Sequence, residues 1–269
     1  MRILDGRELA DYVKERQLKQ VRNLRQAWLT VPKLVIVIAN DDVVIDTFVR
    51  LKQAYGEDIT VEVEVLRVDQ AAVRETIETL NADESVHGVI LQLPLANPAE
   101  TDEIVALIAP EKDVDGLGPN AVYSSATATA IDWLLAGYNV TLKDRVIAIV
   151  GQGRLVGAPL AALWQSGGLS VATYDDTTVD LQSELRKADI IVSATGVPGL
   201  ITSNMVSPGK VVVDAGTASE NGAIVGDVAD DVRERNDLTI TPVRGGVGPL
   251  TIAALFDNVM LAARATVKQ

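Results

Sequence analysis

The stretch Arg145–Leu160, reading RVIAIVGQGRLVGAPL, constrains this chain more than any other. Val146–Val150 is a short β-branched run that reads as a buried parallel strand. It runs directly into Gly151, Gly153 and Gly157, and then into AlaProLeuAlaAlaLeuTrp, which reads as a helix. Strand, glycine turn and helix in that order is the context that gives a glycine motif its meaning. Glycine permits the tight turn and lets backbone N–H groups approach a pyrophosphate, whose charge a helix N-terminus favours. LSVATY reads as the next strand, and Asp175 and Asp176 follow it, where a dinucleotide-binding unit places its ribose-binding carboxylate. The spacing G-x-G-x-x-x-G is one residue longer than the commonest fingerprint. The expectation is a dinucleotide site; an ordinary βα turn without a ligand is the alternative.

A chain of 269 residues is enough for one large or two ordinary domains, each with its own core. With 48% hydrophobic and 23% charged residues, its composition is that of a soluble globular protein. No apolar run is expected to span a bilayer, and no membrane partner is expected. The N-terminus, MRILDGRELADYVKERQ, is charged and periodic, unlike a signal or transit peptide, which fits a cytoplasmic location. Cysteine is absent, which excludes disulfides and thiol chemistry. His87 is the sole histidine, which excludes a multi-histidine centre; no metal is expected. A net charge of −13 opposes binding to a nucleic-acid backbone, and 4% aromatic residues disfavour base stacking.

Taken in order, the pattern is α/β. Asp5–Trp28 reads as a helix with Asp5 or Gly6 near its cap. Lys33–Ile38 reads as a buried strand and Asn40–Asp42 as a loop. Thr47–Tyr55 reads as a short helix stopped by Gly56. The strand Thr60–Val68, the helix Gln70–Asn81, the strand Val86–Leu93 and the helix Thr101–Ile108 follow. Such alternation predicts a mostly parallel sheet. Ala126–Leu135 reads as a helix leading into a second domain, with the boundary near Ala121–Leu142. There the alternation restarts, with strands at Val146–Val150, Ser170–Tyr174, Ile190–Ala194, Val211–Asp214 and Leu238–Thr241. Thr251–Thr266 is a final helix, with Pro249 suited to its entry.

Ligands of open parallel sheets bind beyond the carboxyl ends of strands. Gln92, inside an apolar strand and before Pro94, is either a hydrogen-bonded structural amide or a site residue. ProGluLysAspValAspGly, 110–116, reads in isolation as a surface Asx turn. The segment Arg244–Thr251 has three glycines in four residues before a proline and a helix, a second place where backbone can approach a ligand. Lys52 lies four residues after Phe48, on the same helix face; alone it reads as a solvated surface lysine.

Together these pieces resemble the bifunctional methylenetetrahydrofolate dehydrogenase/methenyltetrahydrofolate cyclohydrolase family. The matching stretches are PheValArgLeuLys (48–52), HisGlyValIleLeuGlnLeuProLeu (87–95), ProGluLysAspValAspGly (110–116), ValGlyGlnGlyArgLeuValGlyAlaPro (150–159), ValGlyAspVal (225–228) and GlyGlyValGlyProLeuThr (245–251). They occur in the family's order over nearly the whole chain, and QLPL, KDVDG and GGVGPLT together are specific. The resemblance implies an α/β fold of two domains with a cleft between them. The N-terminal α/β substrate domain would span 1–122, with the terminal helix, 251–269, a candidate to pack back on it. The C-terminal Rossmann-like dinucleotide-binding domain would span 123–250. It further implies NAD- or NADP-dependent oxidation of 5,10-methylenetetrahydrofolate, hydrolysis of the methenyl product to 10-formyltetrahydrofolate, and a homodimer. The catalytic positions fall on Lys52, Gln92 and Asp115: a lysine with a lowered pKa, a glutamine that positions it, and an aspartate that binds the pterin. Folate contacts fall on Phe48, Leu93, Pro94, Gly246, Pro249 and Thr251. Cofactor contacts fall on Gly151, Gln152, Gly153, Arg154, Val156, Gly157, Asp175, Asp176, Thr195, Gly196, Asp214 and Gly216.

The chain departs from the family pattern in places. Phe48 stands where the family usually has tyrosine, and Ile45 at a serine position. AlaThrAlaThr replaces Pro-Cys-Thr-Pro, keeping Thr127, and Arg244 replaces a proline. Gly153 replaces a serine, and Asp175 and Asp176 replace groups suited to a 2′-phosphate, which favours NAD over NADP. Two other readings stand beside the main one. One is a dehydrogenase of this architecture with weak or lost cyclohydrolase activity or another small substrate, as in shikimate dehydrogenases. The other is a non-catalytic sensor of folate or dinucleotide.

Overall fold

A computed structural model describes residues 1–40, 43–220 and 223–267. Asp41 and Asp42 of the expected loop, and Lys268 and Gln269 of the terminal segment, lie outside the described residues. The first half of the chain contains β1 (Arg2–Ile3), α1 (Gly6–Ala27), β2 (Lys33–Ile38), α2 (Val43–Asp58), β3 (Glu62–Arg67), α3 (Val73–Ala82), β4 (Gly88–Gln92), α4 (Thr101–Val105) and α5 (Ala126–Gly137). The second contains β5 (Ile147–Val150), α6 (Gly157–Ser166), β6 (Val171–Tyr174), α7 (Leu181–Lys187), β7 (Ile190–Ser193), β8 (Val211–Asp214), β9 (Ala218–Glu220), β10 (Ala223–Val225), α8 (Asp230–Arg233), β11 (Thr239–Ile240) and α9 (Val247–Ala265). The chain divides into two compact units: Asp11–Ala126 with Ile252–Gln269, and Met1–Ala10 with Thr127–Thr251.

The first unit is built on a parallel sheet of order β3-β2-β4. Leu34–Ile38 is buried on both faces, as its unbroken apolar run requires. One face packs with Val73, Ile77 and Leu80 of α3 and with Ile104 and Val105 of α4. Within the same unit, Phe256 of α9 stacks on Tyr55 of α2 with ring centroids 5.1 Å apart. The Tyr55 hydroxyl donates to Gln17 Oε1 at 2.7 Å, and Gln17 Nε2 donates to the Ala253 carbonyl at 2.7 Å.

The second unit is built on a parallel sheet of order β1-β11-β8-β7-β5-β6, with an antiparallel ribbon of β9 and β10. From β5 the chain goes first to β6 on one side and then to β7 on the other. That reversal is the switch point where ligands of doubly wound sheets bind. Registers pair Val150 with Tyr174 and Ser193, and Ser193 with Asp214, so these strand ends share one edge.

Several expectations are corrected. Residues 1–10 group with the second unit, not with 11–126, because β1 pairs in parallel with β11. A strand of two residues is too short to show any periodicity in the sequence. The helix predicted over Thr47–Tyr55 extends over Val43–Asp58, and Gly56 lies inside it. A Cβ at Gly56 would stand 2.4 Å from Val63 Cγ2, so glycine serves packing there, and Thr60, at φ 61°, follows the helix in the left-handed region. The last helix starts at Val247, which places Pro249 within its first turn, where no intrahelical N–H bond is lost. By length and composition α9 is long and apolar enough to cross a membrane, contrary to the expectation that no such run exists. Its Ala253, Leu255, Phe256, Val259 and Ala263 are buried in the protein.

Asn258 Nδ2 on α9 donates to the carbonyls of Val114 (2.9 Å) and Ser124 (3.0 Å), on either side of the loop that carries Asp115. Asn258→Ala orphans both acceptors and should cost about 1–3 kcal/mol, read from the urea midpoint at unchanged slope.

Candidate active site

In the unit built on β2, β3 and β4, three elements converge. Lys52 lies on α2, Gln92 is the last residue of β4, and Asp115 lies in the loop that follows α4. Lys52 Nζ donates to Gln92 Oε1 at 2.7 Å. Gln92 Nε2 donates to its neighbour's carbonyl, Leu93 O, at 3.2 Å, which fixes the amide with its oxygen toward the lysine. Burial holds the Lys52 amine below its ordinary pKa, and the charge of Asp115 partly opposes this. Burial also pushes the Asp115 carboxyl up; Lys52 opposes that and Asp113 adds to it. Lys52 is therefore no solvated surface lysine.

The loop is shaped by its other charged residues. Asp113 accepts from Gly116 N at 3.0 Å and Gly118 N at 2.7 Å, and so builds the turn that presents Asp115. Lys112 Nζ donates to the carbonyls of Leu80, Asn81 and Asp83 around the end of α3. KDVDG is thus more than the surface Asx turn it resembles in isolation. Phe48, half-buried, stands one helical turn before Lys52. Leu93 and Pro94 follow Gln92 directly, and their peptide bond is cis. His87 is buried; its Nδ1 accepts from Lys33 N at 3.1 Å, and burial lowers its pKa, so it serves the fold.

The remaining folate candidates, Gly246, Pro249 and Thr251, belong to the other unit. The glycine pair there meets the chain's own backbone: Gly6 N donates to Gly245 O at 2.8 Å, and a Cβ at Gly6 would stand 1.8 Å from Gly246 O. The close approach expected of a ligand is made here by the start of α1.

In this unit the cofactor candidates gather at the carboxyl edge of the sheet. Gly151 follows β5 at φ 90°, and a Cβ at Gly157 would stand 1.8 Å from Gly151 O, so the turn admits no side chain at the start of α6. Val156 precedes α6, and its carbonyl accepts from Leu160 N at 2.9 Å. Gln152, exposed, donates to Gly151 O, and Arg154 is half-buried on the same turn. A Cβ at Gly153 would meet nothing within 4 Å. Room lies open beside the turn, as a bound pyrophosphate requires. Asp175 and Asp176 follow β6, both exposed. Asp175 Oδ1 accepts from Thr177 Oγ1 (2.6 Å) and Thr177 N (3.0 Å), which hold its carboxyl below the usual range. Thr195 and Gly196 follow β7, and Gly216 follows β8.

Asp214 ends β8 with its carboxylate engaged within the protein: it accepts from Arg233, Gly216 N, Asp227 N and Val228 N, and so anchors the loop after β8. Asp227 and Arg233, to which the sequence analysis gives no role, complete this cluster; the local signal for Asp227 is a single carboxylate within the apolar run Ala223–Ala229, and Arg233, in the charged stretch 230–235, carries none.

Residues 4–115 match the tetrahydrofolate dehydrogenase/cyclohydrolase catalytic domain, and residues 125–267 match the NAD(P)-binding domain of the same family. The bifunctional protein FolD of Francisella philomiragia is 36% identical over 278 residues, covering 98% of this chain and 99% of that one. The crystal structure of the bifunctional FolD enzyme from Campylobacter jejuni superimposes with a TM-score of 0.92 at 33% identity, covering 98% and 99% of the two chains. A Trypanosoma brucei FolD, solved with NADP cofactor and inhibitor, gives a TM-score of 0.92 at 29% identity, covering 99% and 98%. Two domain matches in the order of the observed units, with full-length relatives above 30% identity, place the chain in the tetrahydrofolate dehydrogenase/cyclohydrolase family.

Proposed function

We propose that this protein oxidises 5,10-methylenetetrahydrofolate with a nicotinamide cofactor and hydrolyses the methenyl product to 10-formyltetrahydrofolate. The observation that carries the reading is the 2.7 Å bond from Lys52 to Gln92 beside Asp115, at the family's catalytic positions. Asp115 orients the pterin by accepting from its ring N–H donors. Lys52 serves proton transfer. As water attacks the methenyl carbon, the lowered amine takes one of its protons; as the carbon–nitrogen bond to the pterin ring breaks, the amine returns that proton to the ring nitrogen, and the adduct's hydroxyl releases its own proton to solvent as the formyl carbonyl forms. Gln92 keeps the amine aimed throughout. Phe48 supplies an apolar wall one turn away.

The glycine turn, the open room at Gly153 and the N-terminus of α6 fit a dinucleotide. A nicotinamide dinucleotide held there by Gly151, Gly153 and Gly157 would supply the hydride acceptor for oxidation of the methylene carbon. NAD is the cofactor of this proposal. Asp175, held ionised by Thr177, and Asp176 leave β6 where a ribose lies, and carboxylates there repel a 2′-phosphate and suit a free diol. The homodimer and the cytoplasmic location belong to the same proposal and rest on the resemblance.

Lys52→Gln should cut methenyl hydrolysis by about 10²-fold or more, measured as decay of methenyl absorbance against the spontaneous rate. A variant that hydrolyses as fast as an active wild type overturns the role of Lys52, and a wild type no faster than the spontaneous rate overturns the cyclohydrolase activity. Asp115→Asn removes the charge that raises Lys52, so the amine should titrate at still lower pH. The measurement is acylation of Lys52 by a lysine-directed reagent across pH, read by peptide mass; a shift to higher pH contradicts the assignment. In parallel assays kcat/KM should favour NAD over NADP by about tenfold or more, about 1.4 kcal/mol; equal or reversed preference overturns the role of Asp175 and Asp176.

A further inference from the structure

We infer that Asp227, which takes no part in the chemistry, is a positioning residue for the nicotinamide dinucleotide, acting through the Thr195–Gly196 turn. The inference rests on the proposed cofactor site at the carboxyl edge of the six-stranded sheet.

Asp227 is fully buried. Its Oδ2 accepts from Ser193 Oγ at 2.7 Å, Thr195 N at 2.7 Å and Thr195 Oγ1 at 2.9 Å. Its Oδ1 has no hydrogen-bond partner among the described residues. Burying a carboxylate is costly, and leaving one oxygen orphaned adds to the cost. An amide or a hydroxyl would satisfy the backbone N–H more cheaply. What the anion adds is strength, since charge-assisted bonds are roughly twice as strong as neutral ones. All of that strength falls on the end of β7 and the first residue of its turn.

The geometry shows what is held. The Thr195 hydroxyl donates to Asp227 and accepts from Val197 N at 3.1 Å, so its rotamer is fixed from both sides. Thr195 Cγ2 lies 3.0 Å from where a Gly151 Cβ would stand, which sets the threonine methyl against the glycine turn. Gly196 then turns at φ 70°. Behind these, Asp227 N donates to Asp214 Oδ1 at 3.0 Å, and Asp214 also holds Gly216 N at 3.1 Å. The two carboxylates interlock: a Cβ at Gly216 would stand 1.9 Å from Asp227 Oδ1, and one at Gly226 2.0 Å from Asp214 Oδ2. The loops after β5, β7 and β8 are thereby set as one surface, with the Asp227 side chain bonded to the middle loop's backbone N–H at Thr195.

The test is titration of wild type, Asp227→Asn, Thr195→Val and Thr195→Ser with NADH and NADPH, followed by nicotinamide fluorescence, with steady-state KM for cofactor and for 5,10-methylenetetrahydrofolate. Asp227→Asn and Thr195→Val should weaken binding of the preferred reduced cofactor about tenfold and raise cofactor KM alike. The folate KM should stay within about twofold, and Thr195→Ser, which keeps the hydroxyl, should recover most of the loss. A lowered melting midpoint with unchanged cofactor Kd and KM would show a structural role alone and overturn the inference. If Asp227→Asn does not fold, Thr195→Val and Thr195→Ser decide it. Wild type that binds neither NADH nor NADPH overturns the cofactor site itself, and this inference with it.

Discussion

Parallel strand pairing is the constraint on which the rest of this structure depends. Strands that pair in parallel must each be reached by a crossover, so every strand leaves its sheet at the same edge. In the smaller sheet, Ile38 and Gln92 stand side by side at that edge. In the larger one, Val150 is flanked by Tyr174 and Ser193, and Ser193 by Asp214. Whatever follows these residues is delivered to one place before any side chain has packed. Register sets Gln92 at the end of β4, where Lys52 of α2 donates to it, and brings the turns at Gly151 and Thr195 side by side.

The number of partners around a buried charge separates the anchor Asp214 from the reactive Lys52. Asp214 has a guanidinium and three backbone N–H groups on its carboxylate. Burial still pushes its carboxyl up, with the backbone N–H groups of Asp227 and Val228 and the Arg233 guanidinium opposing it, so its partners are all structural. Lys52 has one neutral amide and a carboxylate close enough to be felt. Its ammonium form is poorly compensated, which is what makes the free amine accessible. The same contrast appears within KDVDG. Asp113 accepts from the loop's backbone N–H groups and sets its shape, whereas burial pushes Asp115 toward its neutral form.

Local chemistry was legible in the sequence, and long-range chemistry was not. The buried strands announced themselves as β-branched runs, since a strand covered on both faces needs no polar alternation. The turn at Gly151 was legible because a positive φ is a property of one residue. Two-residue β1 and the ribbon of β9 and β10 carry no period to detect. Gly56 looked like a helix stop because its real reason, the side chains of Val63 and Phe256, lies elsewhere in the chain. Asp214 stands at a strand end, and its bond to Arg233, nineteen residues on in sequence, is a long-range contact that no local pattern shows. Lys52 gave no sign of burial on its own helix. Its meaning came from QLPL and KDVDG, whose spacing in sequence says nothing of their meeting in space.

The departures on the folate side bear on Lys52 itself. Ile45 is buried, so its side chain belongs to the packing of α2 and presents no hydroxyl to a ligand. Phe48 stands at i−4 from Lys52, on the same face of the helix. A tyrosine at that position, usual in the family, would set a polar hydroxyl beside the amine. With Phe48 the amine keeps Gln92 as its one hydrogen-bond acceptor among the described residues. Fewer polar neighbours mean a larger desolvation cost for the ammonium form, and hence a stronger bias toward the free amine. The loss of the hydroxyl therefore does not disarm the lysine. It moves the whole task of aiming the amine onto Gln92, whose own amide is fixed by the carbonyl of Leu93.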